Sequence, residues 1–526
     1  MCYHRNCFWF LASLLAAIGL ERTVSATDYV LTIGGGYEPA GNQASLEANV
    51  LFFQQVVKER FSSKAQNHVY FADGVDAQED LQVMLPKPAA ASPAIALLES
   101  VFALDKPKLI YRNHEVPNVR GPISPKSIRS GLDEIRERLA EGDRLIVYVT
   151  AHGGPASSKD SMNTSITCWH KQPISMKTFA GWLDQLPSNI PVVLVMAQCY
   201  CGGFANTIFE GGEPGNGLAS AVRVGFFAQR FDLPAAGCRP DIENDEEYSS
   251  YFWGSFVGRS RTGKQAEGVD CDQDGRVSLA EAHAFAVRAS QTIDIPLKSS
   301  DILLRHYSRI GGYESTRIKD SPSSDERTDR ELGLEYFTGS LQDVANLGTP
   351  AERITLESLA KQLELSMTLS VTEVFQQNLA QGQVFQESRL GPRRRGPGGP
   401  VGGQSGRGGR NARMRTLQKE IVESWPDLSD PDQWQDLDWL HGSEGESILG
   451  ELKQLPSFEA YSKSQADRQT SKDKAAAAEA RDVRFKRLVH AMESIVLAIN
   501  LPRMATPEVV NRFQAMLALE STHLGP

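Results

Sequence analysis

Three short apolar runs constrain this chain more than any other feature: 29–33 (YVLTI), 145–150 (LIVYVT) and 192–196 (VVLVM). None alternates apolar with polar residues, so each reads as a strand buried on both faces rather than one wetted on a side. The stretch 69–71 is a shorter strand candidate. Between the runs lie segments with helical spacing: 42–61, with Leu46, Val50, Phe53, Val56 and Val57 along one side, then 126–139 and 176–186. Buried strands separated by helices predict an α/β fold, a mostly parallel sheet with helices on both faces. In such sheets the reactive groups collect at the carboxyl edge of the strands.

Two of the runs end in reactive residues. The first continues as Thr150-Ala151-His152-Gly153-Gly154, the second as Ala197-Gln198-Cys199-Tyr200-Cys201-Gly202-Gly203. Strand ends on a common edge put an imidazole and a thiol on one rim. A thiolate attacks a peptide carbonyl well, and an adjacent imidazole promotes its formation and then protonates the leaving amine. Gly153 allows close backbone approach, and its N–H, with that of Cys199, suits a developing oxyanion.

The segment 146–153 (IVYVTAHG) resembles the strand ending in His-Gly of the caspase–legumain superfamily of cysteine peptidases, clan CD. The segment 193–203 (VLVMAQCYCGG) is similar to that superfamily's Cys-x-Ser-Gly turn. The His-to-Cys separation is close to the roughly 50 residues typical of caspases. The resemblance extends over 29–289 and looks nearest to bacterial caspase-like proteins with a Cys-Tyr-Ser-Gly-Gly-Phe turn. It implies a caspase-like sheet and cysteine endopeptidase activity on a peptide or protein substrate, with Cys199 as nucleophile and His152 as general base and acid. Where relatives carry Ser, this chain has Cys201. It reads as a tolerated small residue or as a partner for reversible oxidation with Cys199. A Cys-x-Cys metal site with His152 lacks an evident fourth ligand.

In the superfamily the loop after the first strand helps to line the specificity pocket. Here that loop, 34–43, has no Arg or Lys, which disfavours a preference for Asp, and Glu38 suits a basic residue or is simply solvated. The stretch 225–238 is expected to form another wall, with Arg230 and Asp232 of opposite sign. His68, His114 and His283 sit in no ligand spacing and read as structural.

A separate motif runs from Asp270 to Glu281 (DCDQDGRVSLAE). Asp270, Asp272 and Asp274 take positions 1, 3 and 5 of an EF-hand loop, Gly275 the turn, the Arg276 carbonyl position 7, and Glu281 position 12. The motif resembles single calcium loops of EF-hand and dockerin proteins, and predicts bound Ca²⁺ in a structural or regulatory role. The alternative is an acidic turn capping the helix 279–289.

The chain of 526 residues opens with Arg5, an apolar run at 8–20 and small residues at 24–26, the pattern of a signal peptide spanning 1–26. That run is shorter than the ~20 residues a bilayer span needs. The expectation is a secreted or periplasmic protein with no membrane span once the signal is removed. Of the cysteines, Cys2 and Cys7 would leave with the signal. Cys168, Cys199, Cys201, Cys238 and Cys271 would remain, an odd set that implies a free thiol. The formal charge of −10 argues against a nucleic-acid partner. Expected boundaries are a peptidase-like domain over 27–315, a helical extension over 316–390, a Gly/Pro/Arg-rich tether over 391–415 and a helical C-terminal region over 416–526. The last is a candidate surface for a protein partner. The rival to a peptidase is a catalytically silent, calcium-binding interaction protein on the same fold.

Overall fold

The computed structural model describes residues 27–525 apart from 86–89, 91, 105–106, 238–246, 309–338, 375 and 378–403. The expected signal peptide and Cys238 lie outside the described residues, as does most of the expected tether. The first part of the chain forms β1 (Asp28–Gly35), α1 (Ala44–Arg60), β2 (Gln66–Phe71), β3 (Leu81–Leu85), α2 (Pro93–Val101), β4 (Lys108–Arg112), β5 (Val119–Gly121) and α3 (Pro125–Arg138). It continues with β6 (Arg144–Gly154), β7 (Ser165–Thr167), β8 (Pro173–Ser175), α4 (Met176–Leu183), β9 (Val192–Met196) and β10 (Arg223–Phe227). Then come α5 (Tyr248–Val257), α6 (Leu279–Ala289), β11 (Leu297–Lys298) and α7 (Ser299–Tyr307).

The main sheet runs β11-β10-β9-β6-β1-β2-β5, and only the edge strand β11 pairs antiparallel along it. The α/β architecture with a mostly parallel sheet is therefore present. Every residue of β9 is buried, and so is β6 from Leu145 to Ala151, which is why these strands carry no polar alternation. Local sequence starts the helices. Ser124 accepts from the Ser127 N–H ahead of Pro125 to begin α3, and Ser175 does the same from Thr178 for α4. The chain leaves β1 for β2 on one side and returns to β6 on the other, so the crevice between β1 and β6 is a topological switch point.

The rest of the chain is helical: α8 (Leu341–Leu347), α9 (Pro350–Gln362), α10 (Gln404–Ser424), α11 (Gly442–Leu452), α12 (Phe458–Met504) and α13 (Pro507–Glu520). Two boundaries differ from expectation. α10 starts at Gln404, inside the stretch read as a tether, although its Gly and Arg content gave no helical signal. The helical extension expected over 316–390 is interrupted: its helix α9 starts at Pro350 behind a Thr349/Glu352 capping box and breaks near Glu364, whose φ is 59°.

The C-terminal helices also complete the main core instead of standing apart from it. Leu497, Leu501, Val509, Phe513, Met516 and Leu519 are buried in the same cluster as the sheet residues. Polar contacts tie the chain end to the sheet. Arg144 of β6 donates to the Thr522 hydroxyl at 2.8 Å, and the Lys298 ammonium meets Glu520 at 2.9 Å. No helix among the described residues is long and apolar enough to cross a membrane.

Candidate functional site

β6 and β9 run parallel with Leu145 opposite Val192 and Val149 opposite Met196. The ladder ends at Val149 and Met196, and His152 and Cys199 each lie three residues beyond it. The interval seen in the sequence is thus the register offset of two adjacent strands, and both groups stand at the carboxyl edge. Gly153 is required there, because a Cβ at this position would lie 1.8 Å from the Cys199 carbonyl oxygen. The turn after Cys199 is tight: Tyr200 sits at φ 60°, a left-handed conformation unusual for a non-glycine residue.

The imidazole is fixed by the loop after β1. His152 Nε2 lies 2.7 Å from the Gly41 carbonyl oxygen and 2.9 Å from Gln43 Oε1. Both partners only accept, so Nε2 carries the proton and Nδ1 keeps its lone pair. Tyr37 packs edge-on against the ring with centroids 5.0 Å apart. The loop is itself anchored by buried Asn42. Its Oδ1 accepts from the Gly36 N–H at 2.9 Å, and its Nδ2 donates to Asp80 at 3.1 Å. Burial lowers the His152 pKa, opposed by the bond to Gly41. Burial also raises the Cys199 pKa, opposed by the Ala235 amide. The resting pair is a neutral imidazole and a thiol.

No hydrogen bond joins His152 to Cys199. The sulfur is instead bracketed by Ala235, whose N–H donates to Sγ at 3.3 Å and whose carbonyl accepts from it at 3.7 Å. Cys201 is fully buried and held elsewhere, between the Gln229 amide at 3.3 Å and the Gln229 carbonyl at 3.4 Å. Burial drives its pKa far up, and that of Cys168 to about 12. Cys168, Cys199, Cys201 and Cys271 are all free thiols. Oxidation of Cys199 with Cys201 would first require Cys201 to leave the core.

Beyond Tyr37 the carboxyl edge opens into a cleft of about 370 Å³ lined by Glu38, Pro39, Asp73, Asp76, Trp169 and His170. Glu38 pairs with Lys171 at 2.7 Å, and Arg230 with Asp232 at 3.0 Å, so these opposite charges largely satisfy one another. The three histidines read as structural hold internal contacts: His68 with Arg120, His283 with Tyr248, and His114 with the Gly74 carbonyl. His114 also lies near Asp73 and Asp80 in an acidic cluster, but its Nδ1 accepts from the Val116 N–H, which leaves no nitrogen lone pair for a metal.

The second predicted site folds as a tight acidic loop. Ligand oxygens of Asp270, Asp272 and Glu281 lie within 4.8 Å of one another. Asp274 is not in that group; it accepts from the Arg276 N–H at 2.7 Å and faces His523 at 3.7 Å. Gly275 takes φ 84°, as the turn position demands. Glu281 accepts from the Cys271 N–H at 2.6 Å and from the Ser278 N–H at 2.9 Å, completing a capping box for α6. The capping role is therefore real, and the clustered carboxylates also form a donor set of the kind hard cations take.

No family model and no curated protein matches the sequence. A crystal structure of protein GSU0716 from Geobacter sulfurreducens matches at 8% identity and a TM-score of 0.31, over 52% of this chain and 92% of that one. A likeness at that level carries no argument about fold or function.

Sequence reading missed the residues that hold the reactive pair in place. Asn42, Gln43, Gln229, Ala235 and Asp294 touch it or its supports, yet belong to no spacing pattern. Only their segments were signalled as walls of the site: the loop 34–43, which holds Asn42 and Gln43, and the stretch 225–238, which holds Gln229 and Ala235.

Proposed function

We propose that this chain is an exported cysteine endopeptidase that hydrolyses peptide bonds through a Cys199 thioester, with His152 as general base and then acid. One observation carries the reading: His152 and Cys199 lie equally far past the paired ends of β6 and β9, while the Gly41 carbonyl holds the proton on Nε2 and leaves Nδ1 to act as the base. In the first step Nδ1 takes the thiol proton as sulfur adds to the carbonyl carbon, and the carbonyl electrons move to oxygen. The N–H groups of Gly153 and Cys199 are the candidate donors to that oxyanion. Collapse of the adduct breaks the C–N bond, and Nδ1–H protonates the departing amine. Water, deprotonated by Nδ1, then cleaves the thioester and returns the proton to sulfur.

The loop 270–281 fits a calcium ion held by Asp270, Asp272 and Glu281, with Asp274 and the Arg276 carbonyl as further oxygens. The ion would neutralise these carboxylates and stiffen the start of α6; it takes no part in the bond-breaking steps. The covered sulfur favours a second reading, a silent calcium-binding protein on the same scaffold. Incubation with a broad peptide library, read by mass spectrometry, separates the two. Cleavage that vanishes in Cys199→Ala supports the peptidase, and no cleavage by the native chain at any calcium level defeats it.

A further inference from the structure

We infer that Arg487, on helix α12 of the C-terminal region, is a positioning residue for Cys199. The inference rests on the peptidase reading for its effect on turnover, though not for its effect on the sulfur. Arg487 is almost wholly buried, and its guanidinium spends its hydrogens on the end of α6 and the loop that follows it. Nε donates to the Asp294 carbonyl at 2.7 Å, Nη1 to those of Val287 at 2.9 Å and Ser290 at 2.7 Å, and Nη2 to that of Thr292 at 3.0 Å. Four carbonyls converging on one planar fork fix the path of 287–294, a segment with no regular structure of its own past α6.

That loop in turn holds the segment over the nucleophile. The buried Asp294 carboxylate accepts from the Ala236 N–H at 2.8 Å and from the Thr292 hydroxyl at 2.8 Å. Gln229 cross-links the same two stretches, donating to the Pro234 carbonyl at 3.1 Å and the Ile293 carbonyl at 3.3 Å while accepting from the Ile295 N–H at 3.1 Å. Ala235, next to Ala236, is the residue that brackets Cys199 Sγ. A continuous set of bonds therefore runs from α12 to the reactive sulfur.

The segment also faces the acyl side of a substrate. Along the sheet, β10 lies beyond β9 on the side away from β6. A peptide whose carbonyl sits at Cys199 and whose leaving nitrogen sits at His152 must place its preceding residues over the stretch that follows β10. Arg487 thus sets both the exposure of the sulfur and the wall against which the substrate lies.

Arg487→Lys and Asp294→Ala in the full chain test this, with two readouts taken together. Cys199 alkylation should rise several-fold while kcat/KM falls roughly tenfold or more, because a displaced wall frees the sulfur but misplaces the peptide. Cys168 and Cys201 should stay unlabelled, which separates a shifted loop from an unfolded chain. Should Arg487→Lys fail to fold, Asp294→Ala alone carries the test, since it removes the link to Ala236 and leaves the Arg487 fork in place. Unchanged Cys199 alkylation in folded Asp294→Ala overturns the proposal. If the native chain turns over no peptide, the peptidase reading fails, and the alkylation result still decides whether Arg487 positions Cys199.

Discussion

The Nε2–H of His152 is held on the Gly41 carbonyl oxygen at 2.7 Å, so the imidazole lone pair lies on Nδ1 and the tautomer is set by backbone. Burial meanwhile lowers the basicity of this imidazole. A lowered pKa keeps the lone pair available at pH values where an ordinary histidine is already charged. The acid limb of a kcat/KM profile should accordingly fall below the usual histidine value of about 6.5. Because burial also raises the Cys199 pKa, alkylation of the resting protein should climb only above the ordinary thiol value of about 8.5. Fast labelling at pH 6 would point to a preformed thiolate–imidazolium pair instead, and an acid limb above neutrality would contradict the lowered imidazole pKa.

Removal of either reactive group should stop turnover without unfolding the chain. Cys199→Ala and His152→Ala are each expected to lower kcat by roughly a thousandfold or more. Their melting temperatures should stay near that of the native protein, as both side chains are only half-buried. Wild-type turnover in Cys199→Ala would remove this thiol from the mechanism.

Gly153→Ala should be damaging in a different way. Its Cβ would meet the Cys199 carbonyl oxygen at 1.8 Å, so β6 and the turn at Cys199 must separate. The expected cost is about 1–3 kcal/mol of stability, with loss of turnover. Thermal melts and peptide assays of the same preparation check both, and a variant equal to native in each would contradict the close approach.

Cys201 should not act as a redox partner. Its sulfur is buried and bonded on both sides to the Gln229 backbone. Cys201→Ser is expected to show the same sensitivity of activity to mild oxidation as the native chain. A mutant made resistant to oxidant would restore the disulfide reading that the sequence left open.

Calcium at millimolar concentration should raise the melting temperature if the acidic loop binds it. Binding to the folded state alone adds about 2.7 kcal/mol at a hundredfold excess over the dissociation constant. Glu281 also caps α6, so Glu281→Ala would confound the result. Asp270→Ala combined with Glu281→Gln weakens the ion site while retaining acceptor oxygen at the cap. Identical native melting curves with calcium and with chelator would reduce the loop to its capping role.

The sequence by itself determined the parts that depend on local chemistry and simple periodicity. Unbroken apolar runs such as 145–150 must be buried on both faces, which settled a parallel sheet with covering helices. The ends of two such runs put His152 and Cys199 on one edge, because parallel strands share a carboxyl end. The acidic spacing from Asp270 to Glu281 likewise fixed a tight loop ahead of a helix. What only the tertiary structure decided depends on contacts between distant segments, which leave no periodic trace. Residue types cannot tell that the Gly41 carbonyl would orient His152, or that Cys201 would face the core while Cys199 faces the Ala235 backbone. Nor can the polar C-terminal stretch announce that α12 and α13 close the main core, or that Arg487 would find four carbonyls in a loop nearly two hundred residues earlier. Those pairings are chosen by burial. An arginine enters a core only where the fold brings enough acceptors together to replace its water, and that convergence exists only once the chain has folded.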